Sequence, residues 1–109
     1  MTSGARSIRD NASLITGASS GIGRATALAA ARGGWSVVAC GRDIARLDAL
    51  RREAPGIETL AFDVRDREAC VATLGDLSPD VALLNAGSCE YVDIDAWDPA
   101  LFRRVFDAN

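Results

Sequence analysis

The stretch Ser13-Leu14-Ile15-Thr16-Gly17-Ala18-Ser19-Ser20-Gly21-Ile22-Gly23 constrains this chain more than any other. It begins as a short apolar run, breaks into glycines at positions 17, 21 and 23, and opens into an alanine-rich segment of helical character. A strand that feeds a glycine turn and then a helix N-terminus forms a site for a phosphate anion. N–H groups left unpaired in the first helical turn point at the ligand, and the helix dipole favours negative charge there. The spacing suits Gly17 to the sharp turn, Gly21 to close backbone approach to a pyrophosphate, and Gly23 to packing of the helix on the strand.

Periodicity extends this unit along the chain. Ala12 to Thr16 reads as a first strand, followed by a helix from Ile22 to about Arg32 with Ile22, Ala25, Leu28 and Ala29 on one face. Gly33-Gly34 ends it, and Val37-Val38-Ala39-Cys40 forms a second strand, apolar without alternation as in a parallel sheet covered on both faces. Asp43 caps a second helix with Ile44, Leu47 and Leu50 as its buried stripe. After the turn at Pro55-Gly56, Ile57 to Asp63 is a third strand, and Asp66 caps a third helix carrying Cys70, Val71, Leu74 and Leu77. Ser78-Pro79-Asp80 interrupts the chain before a fourth strand, Val81 to Leu84. Asp98-Pro99 then starts a fourth helix whose apolar face is Leu101, Phe102, Val105 and Phe106. The pattern β-α-β-α-β-α-β-α predicts an α/β fold, a doubly wound parallel sheet with strand order 3-2-1-4.

Composition narrows the partners. A chain of 109 residues makes one domain at most, and 49% apolar with 25% charged residues fits a soluble globular protein. A net charge of −3 argues against nucleic acid and anionic membranes as partners, and no apolar run reaches membrane-spanning length. Cys40, Cys70 and Cys89 are odd in number and widely spaced, and with no histidine in the chain they predict no metal site. They read as reduced thiols of a cytoplasmic protein. Residues 1–11 are expected to form a disordered leader, too polar from Met1 to Asp10 for a signal peptide.

The octet Thr16-Gly17-Ala18-Ser19-Ser20-Gly21-Ile22-Gly23 resembles the cofactor signature of the short-chain dehydrogenase/reductase family. Its spacing is that of the single-domain branch, since the extended branch carries glycine where this chain has Ser20. The resemblance runs from about Ala12 to Asn109 and implies the N-terminal half of a Rossmann-like fold that binds a nicotinamide dinucleotide. In that reading Gly17, Ser19, Ser20, Gly21, Ile22 and Gly23 belong to the cofactor site. At the end of the second strand, Gly41 stands where NAD-specific members carry aspartate, and Arg42 stands where many NADP-using members carry a basic residue. This favours NADP over NAD, with Asp43 explained as the helix cap; a solvated surface arginine is the other reading of Arg42. Asp63-Val64 is similar to the family pair that holds the adenine, and the aspartate alone reads equally well as a turn cap. Leu84-Asn85-Ala86-Gly87 looks like the family's Asn-Asn-Ala-Gly with its first asparagine replaced, so Asn85, Ala86 and Gly87 join the site.

The resemblance also implies hydride transfer between the nicotinamide and a carbonyl or alcohol carbon. The family uses a tyrosine, a lysine four residues on, a serine and an asparagine of the fourth helix. Asn109 matches that asparagine. Tyr91 is followed four positions later by Asp95, and all twelve basic residues are arginines, so the tyrosine–lysine couple is missing. The expectation is therefore the cofactor-binding N-terminal portion of an NAD(P)-dependent oxidoreductase, truncated after the fourth helix and inactive alone. Two alternatives stay open: a non-catalytic dinucleotide-binding module acting with a partner chain, and an unstable truncated product. An incomplete sheet predicts self-association through the exposed fourth strand. Cys89 and Tyr91 follow that strand, where a plain loop role suits them best.

Overall fold

The structure, a computed structural model that describes residues 12–87, 95 and 98–109, alternates four parallel strands with four helices among those residues. The strands are β1 (Ala12–Thr16), β2 (Ser36–Gly41), β3 (Glu58–Ala61) and β4 (Val81–Leu84). The helices are α1 (Gly21–Arg32), α2 (Ile44–Glu53), α3 (Arg67–Leu74) and α4 (Pro99–Ala108). Sheet order is β3-β2-β1-β4, the order that the alternating pattern predicts. The fold is thus α/β and Rossmann-like, and within the described residues no helix is long and apolar enough to cross a membrane.

Adjacent apolar residues on a strand point to opposite faces, so an unbroken apolar run supplies two cores at once. Ile15, Val37 and Ala39 pack with Ala27, Leu28, Leu50 and Ile57 beneath α1 and α2. Leu14, Val38 and Cys40 face the other way, against Leu60, Phe62, Leu74 and Leu77. Cys40 is sealed in that second core, and burial pushes its thiol up to about 12, with Cys70 and Glu58 adding to the shift. It is a packing group and not a nucleophile.

Register then places the site. Thr16 pairs with Cys40 on one side and Leu84 on the other, while Gly41 pairs with Ala61. The four strands therefore end nearly level. The segments that leave them, starting at Gly17, Arg42, Phe62 and Asn85, gather along one edge of the sheet. At the opposite end Asp80 anchors β4, its carboxylate accepting from the Ala12 N–H at 2.9 Å and its own N–H donating to the Ala12 carbonyl at 2.9 Å.

The aspartate caps fall where expected, with Asp43, Asp66 and Asp98 accepting from backbone N–H groups in the first turns of α2, α3 and α4. Three helix faces differ. Helix α1 buries Gly23, Ala27 and Leu28, whereas Ile22, Ala25 and Ala29 face outward. The close approach of Gly23 to the β1 turn fixes the rotation of this helix, and Ile22 is released to the cavity described below. In α2, Leu47 and Leu50 are buried and Ile44, the first residue of the helix, is exposed. In α3, Cys70 and Leu74 are half-buried and Val71 is exposed.

Strand β4 is an edge strand of the sheet, as is β3, and is exposed at all four positions. Phe102 and Phe106 stack on each other in α4 with centroids 6.0 Å apart, and both are exposed; Leu101 and Val105 are half-buried. The expected leader, Met1 to Asn11, lies outside the described residues, as do Cys89 and Tyr91.

Candidate functional site

Leaving β1, the chain turns at Gly17, whose φ of 66° lies in the left-handed region. The Ala18 N–H donates to the Cys40 carbonyl at 2.9 Å, tying this loop to the end of β2. Helix α1 then opens with Ser20 as N-cap, and the Ser20 hydroxyl makes no capping bond. No carboxylate caps α1 and its first turn carries no acidic side chain, whereas α2, α3 and α4 each have an aspartate N-cap that accepts from a first-turn N–H. The first-turn amides and positive dipole end of α1 are thus left for an external anion. A Cβ built on Gly21 meets nothing within 4 Å, so this backbone opens onto free space. Gly23 is the opposite case: a Cβ there would overlap the Gly17 carbonyl oxygen.

Facing these amides is a cavity of about 1070 Å³, lined from the ends of all four strands and from α4. Arg42, Arg46, Arg65 and Arg104 line it against two carboxylates, Asp43 and Asp63. In a chain of net charge −3, such a local surplus of cations points to an anionic ligand. Asp43 is committed to α2, accepting from the Arg46 N–H at 3.1 Å. Gly41 keeps the strand end clear, since even a Cβ there would lie 3.2 Å from the Ser19 side chain.

Asp63 has its own partner. Arg65 donates to it through Nη2 at 2.7 Å, through Nε at 3.1 and 3.2 Å, and through the backbone N–H at 2.9 Å. Arg42 stands 3.9 Å away. The bonds from Arg65, and more weakly the charge of Arg42, hold the Asp63 carboxyl down at about 2. Because the folded value is depressed, this contribution to stability is complete above the ordinary value of 3.8 and is lost as pH falls toward about 2. Acid titration followed by far-UV circular dichroism is expected to show this loss in the wild type and a flatter response between pH 4 and 2 in Asp63→Asn. Identical acid limbs would remove Asp63 from the stability account.

The floor is formed where the β1 and β4 loops cross. A Cβ on Gly17 would lie 2.9 Å from the backbone of Ala86. Thr16 holds the crossing: its Oγ1 accepts from the Asn85 N–H at 3.0 Å and the Ala86 N–H at 3.1 Å, and donates to the Leu83 carbonyl at 3.5 Å. The Asn85 side-chain amide reaches the Gly17 carbonyl at 3.4 Å. At the end of α4, Asn109 donates to the Val105 carbonyl at 2.7 Å, and its Oδ1 sits where a Cβ on Gly87 would be.

Eleven residues singled out in the sequence line this one cavity: Gly17, Ser19, Ser20, Gly21, Ile22, Arg42, Asp63, Val64, Asn85, Ala86 and Gly87. Gly23 lies beneath it, and Asn109 stands beside it against Gly87. Sequence reasoning did not single out Phe62, Arg46, Arg65, Arg104 or Ala108 as lining residues, and it gave Thr16 no role of its own. Arg46 and Arg65 carried a usable signal, since each follows a strand-end aspartate by two or three positions.

The profile of the short chain dehydrogenase family matches residues 11–109. The chain belongs to the short-chain dehydrogenase/reductase family. Members of that family bind NAD(P). Over 97 residues, 88% of this chain, it is 47% identical to L-xylulose reductase of Homo sapiens. It is 44% identical to D-erythrulose reductase of Gallus gallus over 79 residues, 72% of the chain. These matches cover 40% and 32% of the two relatives, so the chain spans about a third to two fifths of their length. Among solved structures, a short-chain dehydrogenase from Streptomyces avermitilis superposes with a TM-score of 0.76 at 32% identity, over 94% of this chain and 40% of that one. An actinorhodin polyketide ketoreductase superposes with a TM-score of 0.82 over 90% of this chain and 41% of that one; at 24% identity it speaks for the short-chain dehydrogenase/reductase fold alone.

Proposed function

We propose that the cavity binds NADP(H) in preference to NAD(H), and that the chain supplies the cofactor-binding part of an oxidoreductase. The observation that carries this reading is the charge arrangement at the end of β2. Gly41 offers no carboxylate to a ribose, Asp43 is taken up as the α2 cap, and Arg42 lines the cavity beside them. The other residues fit the rest of the dinucleotide. Amides of Ser20, Gly21 and Ile22 at the uncapped end of α1 receive the pyrophosphate. Asp63 and Val64 face the adenine, and the small residues Ala86 and Gly87 leave space for the adenosine ribose. Asn109, held beside Gly87, is the residue we assign to the family's proton-relay asparagine, on its match in sequence. When bound, the cofactor supplies or accepts a hydride; this chain's residues bind and orient it. With no lysine and no histidine among its 109 residues, the chain alone is expected to hold the cofactor without turning it over. The open edge of β4 supports self-association of this chain.

The test is calorimetric titration of NADP⁺ and NAD⁺ into the wild type and Arg42→Ala. A charge-assisted hydrogen bond contributes about 1.5–3 kcal/mol, so the variant is expected to lose about 10- to 100-fold in NADP⁺ affinity and little in NAD⁺ affinity. Equal affinity for the two cofactors in the wild type would overturn the NADP reading.

A further inference from the structure

We propose that Arg46 is a second ligand for the ribose 2′-phosphate, closing on it from α2 while Arg42 closes from the end of β2. The inference rests on the NADP reading above and extends it to a residue that no part of the family signature covers.

Arg46 lines the same cavity as Arg42, Gly41 and Asp43, and sits in the first turn of α2. Its position is fixed twice over by one aspartate. The Asp43 Oδ1 accepts from the Arg46 backbone N–H at 3.1 Å, and Oδ2 lies 3.4 Å from Arg46 Nε. That pair uses the inner edge of the guanidinium. Among the described residues, the two terminal amino groups of Arg46 have no hydrogen-bond partner, and Arg46 is one of the residues that line the cavity. Arg42 is equally uncommitted, its one ion pair among the described residues being the 3.9 Å approach to Asp63.

Charge makes the same case. A phosphate monoester carries about −1.5 to −2 near neutral pH, more than one guanidinium neutralises. Arg46 also offsets the carboxylate of Asp43, which without it would stand as a lone negative charge on the wall that receives the phosphate. For α2 itself this is a poor place for arginine, because the positive end of a helix dipole disfavours a cation. Two planar forks on adjacent turns of chain can each offer two parallel N–H groups to phosphate oxygens, which a single arginine cannot match.

The experiment is calorimetric titration of NADP⁺ and NAD⁺ into the 109-residue wild type, Arg42→Ala, Arg46→Gln and Arg46→Lys, with circular dichroism to verify the fold of each. Arg46→Gln is expected to lower NADP⁺ affinity about 5- to 20-fold, less than a buried charged contact because the side chain is largely solvated. NAD⁺ affinity is expected to stay within about twofold, and Arg46→Lys to fall between Gln and wild type. An arginine that merely braces the α2 cap would weaken both cofactors alike, and that result overturns the proposal. So does an Arg46→Gln protein with wild-type NADP⁺ affinity while Arg42→Ala shows its expected loss; the NADP reading then survives without Arg46. A wild type that binds neither cofactor, or both equally, overturns both readings together. If Arg46→Gln loosens α2, Arg46→Lys decides, since it keeps the charge near Asp43 and loses only the fork.

Discussion

Gly23→Ala is expected to abolish dinucleotide binding and to destabilise the fold by about 1–3 kcal/mol, the range for forcing extra atoms into a packed interior. The added Cβ would overlap the Gly17 carbonyl oxygen, which is backbone and cannot swing aside. The strain can be relieved only by lifting α1 away from the end of β1. That same movement carries the amides of Ser20, Gly21 and Ile22 away from the cavity and withdraws Ala27 and Leu28 from the core. Thermal unfolding of the two proteins, with and without NADP⁺, provides the check. Against a folded stability of about 5–15 kcal/mol the loss is large, and the melting shift that NADP⁺ gives the wild type is expected to vanish in the variant. A variant that melts like the wild type and still responds to NADP⁺ would show that α1 packs with slack.

Thr16→Val is expected to cost about 2–4 kcal/mol although it changes almost no volume. Thr16 is 5% exposed, and its hydroxyl is the acceptor for two backbone N–H groups, those of Asn85 and Ala86. Replacing the hydroxyl by a methyl leaves both donors without that partner, and each unsatisfied buried group costs about 1–3 kcal/mol. Water at the cavity floor offsets part of this, hence the lower half of the summed range. Thr16→Ser, which keeps the oxygen, is expected to recover most of the loss. Chemical denaturation of the three proteins measures it. Valine and serine variants of equal stability would mean that the crossing of the two loops is held by backbone contact at Gly17 alone.

The chain order of strands and helices was readable because each apolar run is bounded by a strong stop: Gly33-Gly34, Pro55-Gly56, and the aspartate caps at 43, 66 and 98. The face of α1 was not. An alanine-rich helix has no unique apolar stripe, so the set Ile22, Ala25, Leu28 and Ala29 reads as well as the buried set of Gly23, Ala27 and Leu28, with which it shares only Leu28. What chooses between them is the contact of Gly23 with Gly17, a fact about two backbones. Much of the cavity lining beyond the strand ends was legible, because parallel register delivers Gly17, Arg42, Asp63 and Asn85 to one edge; Phe62, directly after β3, reads from sequence only as an apolar strand residue. Arg46, Arg65 and Arg104 were harder to read, since a charge on a helix or loop usually belongs to a solvated face and only its spatial neighbours give it a role. Thr16 was hidden for a related reason: its partners lie 69 and 70 residues away.

That separation has a consequence for how the molecule acquires its site. The Ser13 hydroxyl reaches Ser36 across 23 residues, whereas Thr16 reaches Asn85 across 69. Closing the longer loop costs about 1 kcal/mol more in chain entropy, and contacts of long sequence separation form late. Pairing of the first three strands can therefore precede the arrival of β4, but the floor of the cavity cannot exist until β4 has docked beside β1. On the proposed reading of the cavity, dinucleotide capture is expected to report the docking of β4 beside β1. A chain that has paired only its first three strands lacks residues 85–87 over Gly17, so it is expected to bind no dinucleotide until they arrive.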